Sequence, residues 1–88
     1  MGDVLATFRI MPEGVEVDLD KLKKEIEESI GGLARIEQIV EKPFAFGLKS
    51  IELSVILGDS EGGTDRVEEK IRALSGVQSV ENTGLTLI

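Results

Sequence analysis

The chain has 88 residues, 41% of them hydrophobic, and a formal net charge of −7, which suits one domain with a modest core. It contains neither cysteine nor histidine, which excludes disulfides, zinc thiolates and thiol catalysis and removes the usual acid–base group of neutral pH. Its acidic surface would repel phosphate backbones, so we expect no direct nucleic-acid binding and favour a partner with a basic surface.

The location of the protein is predicted from two features that the sequence lacks. Residues 1–3 are not followed by the basic and apolar regions of a secretion signal. No apolar stretch approaches the ~18 residues that a membrane-spanning helix needs. We therefore expect a soluble, cytoplasmic protein with a single domain over residues 1–88.

The first half of the chain predicts a strand, a helix and a second strand. From Val4 to Met11 every second residue is apolar, which is typical of a strand with one face on the core. Asp18 is a predicted helix N-cap, and the glycines at 31–32 end a helical stripe formed by Leu19, Leu22, Ile26 and Ile30. Residues 33–42 form the second strand, whose poor alternation predicts an edge position or a β-bulge.

The second half predicts the same order of elements: a strand, a helix and a strand. Residues 48–57 alternate cleanly and predict the third strand. After a glycine-rich acidic loop at 58–63, Thr64 or Asp65 should cap a helix that ends at Ser75 and Gly76. Residues 77–88 form the last strand, with an interruption at 82–84. This order predicts an α+β two-layer sandwich, the ferredoxin-like βαββαβ fold, with a four-stranded antiparallel sheet and two helices on one face.

No catalytic constellation emerges from the sequence. The loop at 58–64 has the glycine spacing of a phosphate-binding loop, but it lacks the lysine and carries Asp59 and Glu61, which would repel phosphate. Paired carboxylates such as those at 27–28 lie on helices whose polar faces meet solvent. Arg9, which an acylphosphatase-like site would need in a loop, lies within a strand. We expect no cofactor, no metal site and no bond chemistry.

Residues 42–49, called the aromatic turn below, hold two of the three phenylalanines. Phe44 and Phe46 could fold back over the end of the sheet, or they could form an exposed anchor for a partner. Alternation favours the anchor for Phe46, because it places this residue in phase with the sheet face that turns away from the helices. Pro43 and Gly47 make the turn rigid, which lowers the entropy lost on binding.

Several segments of the chain carry a family resemblance: residues 1–4, 11–13, 43–48, 58–65, 68–69 and 76–80. In their order and spacing the chain resembles the archaeal translation elongation factor 1-beta family, over all 88 residues. It is also similar to the C-terminal exchange domain of the corresponding eukaryotic factor. The resemblance implies a ferredoxin-like fold and an exchange factor that replaces GDP by GTP on elongation factor 1-alpha during protein synthesis.

The resemblance also implies where the partner binds. In the eukaryotic relatives the phenylalanine before the turn glycine inserts into the GTPase, and that position matches Phe46. Those relatives carry a penultimate lysine that reaches the magnesium site, whereas the penultimate residue here is Leu87. The expected partner-binding residues of a chain that is monomeric when free are Lys42, Pro43, Phe44, Phe46, Gly47, Lys49, Leu87 and Ile88.

Two other binding modules share the predicted element order. An ACT-like regulatory module binds amino acids at dimer interfaces, but its glycine-rich turn usually follows the first strand, where this chain has only residues 12–14. An RNA-binding sheet of the RRM type needs aromatic residues and basic charge on the open sheet face, where this chain offers Thr7, Arg9 and Glu52. The ACT-like module is therefore the main alternative.

Overall fold

Residues 3–58 and 63–87 are described by a computed structural model, and they form four strands and two helices. The elements in chain order are β1 (Asp3–Pro12), α1 (Leu19–Ile30), β2 (Arg35–Pro43), β3 (Lys49–Gly58), α2 (Gly63–Arg72) and β4 (Val77–Leu87). The strands pair antiparallel in the order β2-β3-β1-β4. Both helices pack on the same face of this sheet, which confirms the predicted ferredoxin-like α+β fold.

The core lies between the inward face of the sheet and the two helices. Every second residue of β1 from Val4 to Ile10 is buried, and so is every second residue of β3 from Ile51 to Leu57. Antiparallel pairing sets Phe8 directly opposite Leu53, so the two strands present one continuous apolar surface. Burying each large apolar side chain contributes about 1.5–3 kcal/mol, and these central strands therefore anchor the domain.

Helix α1 begins at the predicted cap. The carboxylate of Asp18 accepts hydrogen bonds from the backbone N–H groups of Asp20 (3.1 Å) and Lys21 (3.2 Å), which satisfies donors that have no partner within the helix. One stripe of the helix, formed by Leu22, Ile26 and Ile30, is buried on the sheet. The cap and the stripe together fix where α1 starts and which face it turns inward.

The two edge strands carry the irregularities that the sequence predicts. Strand β2 is at one edge of the sheet, and its register with β3 shifts between Ile36 and Gln38. Strand β4 is at the other edge, and opposite Thr7 and Phe8 its register skips one residue, Thr83. The Thr83 hydroxyl lies 3.1 Å from that of Thr7. Both predicted interruptions are therefore β-bulges on edge strands, where the ladder tolerates them.

The prediction that Thr64 or Asp65 caps α2 is wrong. The helix already begins at Gly63, so both residues lie inside its first turn. Asp65 is still favourable there, because the positive end of the helix dipole attracts a carboxylate. The rest of the predicted glycine-rich loop, residues 59–62, lies outside the described residues. No helix within 3–58 and 63–87 is long and apolar enough to cross a membrane.

Candidate functional site

The aromatic turn joins the edge strand β2 to the central strand β3. The strand ladder ends at the pair of Pro43 and Lys49. Beyond it, the backbone N–H of Phe44 donates to the carbonyl of Leu48 (2.7 Å), and the N–H of Leu48 donates to the carbonyl of Ala45 (3.1 Å). Two backbone hydrogen bonds thus close the turn tightly.

The two residues at the tip of the turn have positive φ angles. Phe46 has a φ of 58° and Gly47 a φ of 78°, which is the pattern of a type I′ turn between antiparallel strands. Glycine adopts this region freely, but a residue with a side chain loses roughly 1–2 kcal/mol there. Phe46 is therefore held in a strained backbone conformation, and such conformations concentrate at functional sites.

Neither phenylalanine of the turn is buried in the core. The side chain of Phe46 is 97% exposed and that of Phe44 is 51% exposed. The alternative in which both rings cover the end of the sheet is therefore wrong for Phe46, which makes almost no contact with the rest of the chain. Covering this exposed apolar ring with a partner surface would be favourable, because it would remove the ring from water.

One carboxylate lies between two lysines at the base of the turn. The Lys23 ammonium of α1 is 2.9 Å from one oxygen of Glu41 in β2, and the Lys49 ammonium of β3 is 4.0 Å from the other. The hydrogen bond that Lys23 donates to Glu41 raises the pKa of Lys23 above its usual 10.5, although desolvation opposes this effect. Lys42, the other predicted lysine, is exposed on the adjacent position of β2.

The structure places the predicted C-terminal contact at the opposite end of the sheet. Leu87 pairs with Val4 of β1, whereas the aromatic turn lies beyond the pair of Ile10 and Ile51. Ile10 lies six positions after Val4 in β1, which is roughly 20 Å along a strand. The molecule is 42 Å long, so the predicted residues form two separate surfaces. Ile88 lies outside the described residues.

Sequence reasoning misses Leu85, which extends the C-terminal surface. Leu85 and Leu87 pair with the buried residues Ala6 and Val4, so they lie on the helix-facing side of the sheet. Both are nevertheless exposed, Leu87 by 74%. The signal available in the sequence is the alternation of Leu85 with Leu87; it predicts a shared face but not whether a helix covers it.

A cavity of about 190 Å³ adjoins the aromatic turn. It separates the turn from the loop between β1 and α1, whose Val15 is also exposed. The lining consists of Pro12, Gly14, Val15, Val17, Leu19, Glu41, Gly47 and Lys49. The residues fit a docking surface better than a reaction centre, because Val15 and the neighbouring Phe46 are exposed apolar groups and the described lining holds no Ser, Thr, Cys or His side chain.

Comparisons with known proteins agree with a single family. Residues 5–88 match the family described as the EF-1 guanine nucleotide exchange domain. Elongation factor 1-beta of Methanothermobacter thermautotrophicus is 47% identical, across 94% of this chain and 93% of that protein. The protein of the same name from Methanococcoides burtonii is 51% identical, across 97% and 96%. That of Thermoplasma volcanium is 38% identical over the full length of both chains.

Solved structures share the fold at much lower sequence identity. The ACT domain of GTP pyrophosphokinase from Chlorobium tepidum has a TM-score of 0.66 at 23% identity, covering 91% of this chain and 97% of that one. The C-terminal domain of the MgtC protein from Mycobacterium tuberculosis has a TM-score of 0.65 at 10% identity, covering 99% and 88%. Because a fold hosts many functions, these likenesses show the architecture alone and give the ACT-like alternative no further support.

Proposed function

Because this chain belongs to the family of EF-1 guanine nucleotide exchange domains, we propose that it promotes release of GDP and loading of GTP on elongation factor 1-alpha. The relatives named elongation factor 1-beta, at 38% to 51% identity over nearly the whole chain, support this assignment. The observation that supports a contact site for this function is the almost complete exposure of Phe46 in the aromatic turn.

Exchange on a GTPase requires no bond chemistry from this chain. A factor that binds the nucleotide-free GTPase more tightly than the GDP-bound form must weaken GDP binding by the same ratio. GDP then leaves faster, and the excess of GTP over GDP in the cell sets the direction of exchange. The chain therefore acts through differential binding, and the contacts that it makes only with the nucleotide-free partner determine its potency.

Phe46 supplies the principal contact in this account. Covering one phenylalanine ring contributes about 1.5–3 kcal/mol, which corresponds to roughly a tenfold to hundredfold change in affinity. The two backbone hydrogen bonds of the turn fix the backbone of Phe46 before binding, so little loop entropy is lost on association. Pro43 and Phe44 lie on the strand side of the turn and add to the apolar surface, and Lys42 and Lys49 flank the turn with positive charge.

The C-terminal leucines supply a second, apolar contact at the other end of the sheet. Leu85 and Leu87 form an exposed apolar pair, so they offer a partner an apolar contact rather than a charged one. An elongated factor that touches the GTPase at both ends can bind one state of the partner more tightly than another, which is what exchange requires.

The charge of the chain fits a protein partner. With a net charge of −7, it is attracted to basic protein surfaces and repelled by RNA. We infer that the chain acts as a monomer, in the cytoplasm, and binds the GTPase rather than the ribosomal RNA or a membrane.

The test of this function is the affinity of the chain for two states of a cognate elongation factor 1-alpha. Isothermal titration should show tighter binding to the nucleotide-free GTPase than to the GDP-bound form. The ratio of these affinities should equal the factor by which the chain weakens GDP binding. Equal affinity for both states would contradict an exchange role, since such a ligand shifts no equilibrium.

A further inference from the structure

We propose that Glu41 is a positioning residue for exchange, whose carboxylate ties the base of the aromatic turn to helix α1. The inference rests on the proposed function, because it assigns Glu41 an effect on the contact made by Phe46. It extends the site from the exposed turn to an ion-pair cluster, Lys23, Glu41 and Lys49, that lies behind it.

The cluster joins three elements at one point. Glu41 lies opposite Ile51 in the ladder, so its side chain is on the helix-facing side of the sheet. There its two oxygens lie 2.9 Å from the Lys23 ammonium of α1 and 4.0 Å from the Lys49 ammonium of β3. The Lys23 ammonium also lies 3.5 Å from the carboxylate of Asp20 in the same helix. A single carboxylate thus connects both strands of the hairpin to the helix layer.

The hairpin end has little other support on this side. Strand β2 is an edge strand and pairs with β3 alone. The cavity of about 190 Å³ separates Gly47 of the turn from Val15 and Val17 of the loop before α1. Past Pro43 and Lys49 the ladder has ended. The direction in which Phe46 projects therefore depends on how the base of the hairpin is held, and Glu41 is the group that links this base to α1.

Loss of the carboxylate would change the sign of the interaction. Without Glu41, the ammonium groups of Lys23 and Lys49 remain on the same side with no negative charge between them. Two like charges repel, and the hairpin end can yield by bending away from α1. The result is a misdirected Phe46 in a domain whose core is intact.

The test compares Glu41→Gln with a matched control, Glu68→Gln. Glu68 also pairs with a cation, Arg72 at 3.6 Å, and its side chain is 23% exposed against 27% for Glu41, but it lies on α2. We expect Glu41→Gln to slow GDP release and weaken binding to the nucleotide-free GTPase roughly two- to fivefold, the range that one exposed ion pair can carry. Glu68→Gln should leave both unchanged.

A double variant separates positioning from a general structural role. If Glu41 acts through the turn, Glu41→Gln should have no further effect on binding once Phe46 is replaced by alanine. A full two- to fivefold loss in the Phe46→Ala background would overturn the inference, and so would wild-type behaviour of Glu41→Gln while Phe46→Ala is impaired. If the wild-type chain itself failed to accelerate GDP release, the proposed function would fall and the inference with it.

Discussion

Phe46 holds a backbone conformation that phenylalanine disfavours, since its φ of 58° lies in the left-handed region. The ring gains no packing energy within the domain, because it is almost fully exposed. A residue that costs stability and gains no packing is best explained by a contact that another molecule supplies. Gly47 makes this possible, because it accepts the second positive φ of the turn without strain.

Stability and activity should therefore change in opposite directions when Phe46 is replaced. Asparagine tolerates the left-handed region, and Asn-Gly is a favoured type I′ pair. Phe46→Asn should therefore raise the free energy of unfolding by about 0.5–1 kcal/mol, measured by urea denaturation, while it slows GDP release. A variant less stable than wild type would show that the ring stabilises the free domain.

At the scale of single elements, local chemistry sets the boundaries of α1 and packing sets its face. Asp18 satisfies the first backbone donors, and the stripe that follows is covered by the sheet. Helix α1 also carries Lys23, which reaches the base of the aromatic turn. The cap should therefore matter for stability, whereas the proposed exchange contact depends on the hairpin that Lys23 reaches.

Replacing the cap tests this separation. Asp18→Ala should lower the free energy of unfolding by about 1 kcal/mol, whereas Asp18→Asn should change it little, because asparagine caps as well as aspartate. Urea denaturation measures both values. GDP release should remain at the wild-type rate wherever the variants are folded. Equal stability of Asp18→Ala and wild type would contradict the capping role.

Sequence predicts these elements unevenly, for physical reasons. Alternation in β1 and β3 identifies buried strands because each has one face on the core. The start of α2 is not predictable from Thr64 and Asp65, because good capping residues also fit the first turn. In the site, alternation predicts the exposure of Phe46. It does not predict the positive φ of this residue, because phenylalanine disfavours the left-handed region. The exposure of Leu85 depends on how far the helices reach, which no local pattern encodes.

At the scale of the whole molecule, the two candidate contacts are far apart. The aromatic turn and Leu87 lie at opposite ends of the sheet, in a molecule 42 Å long. Contacts that share no neighbours act independently in most proteins. The sheet between them fixes their separation, so the proposed contact with one GTPase would use two anchors at a set distance.

Independence predicts a multiplicative effect. Phe46→Ala and Leu87→Ala should each weaken binding to the nucleotide-free GTPase, and the loss in the double variant should equal the product of the two single losses. Leu33→Ala, which truncates an exposed leucine between α1 and β2, provides the control and should bind as wild type. A loss in the double variant well below the product would mean that the two ends act as one coupled site.

Nucleotide exchange should depend above all on the exposed ring of Phe46. The most direct measurement is release of a fluorescent GDP analogue from a cognate elongation factor 1-alpha, chased with excess GTP, with wild-type chain and with Phe46→Ala. We predict strong acceleration by the wild type and at least roughly a tenfold smaller effect of the variant, with unfolding of the variant unimpaired. Equal acceleration by wild type and a folded Phe46→Ala variant would contradict the account.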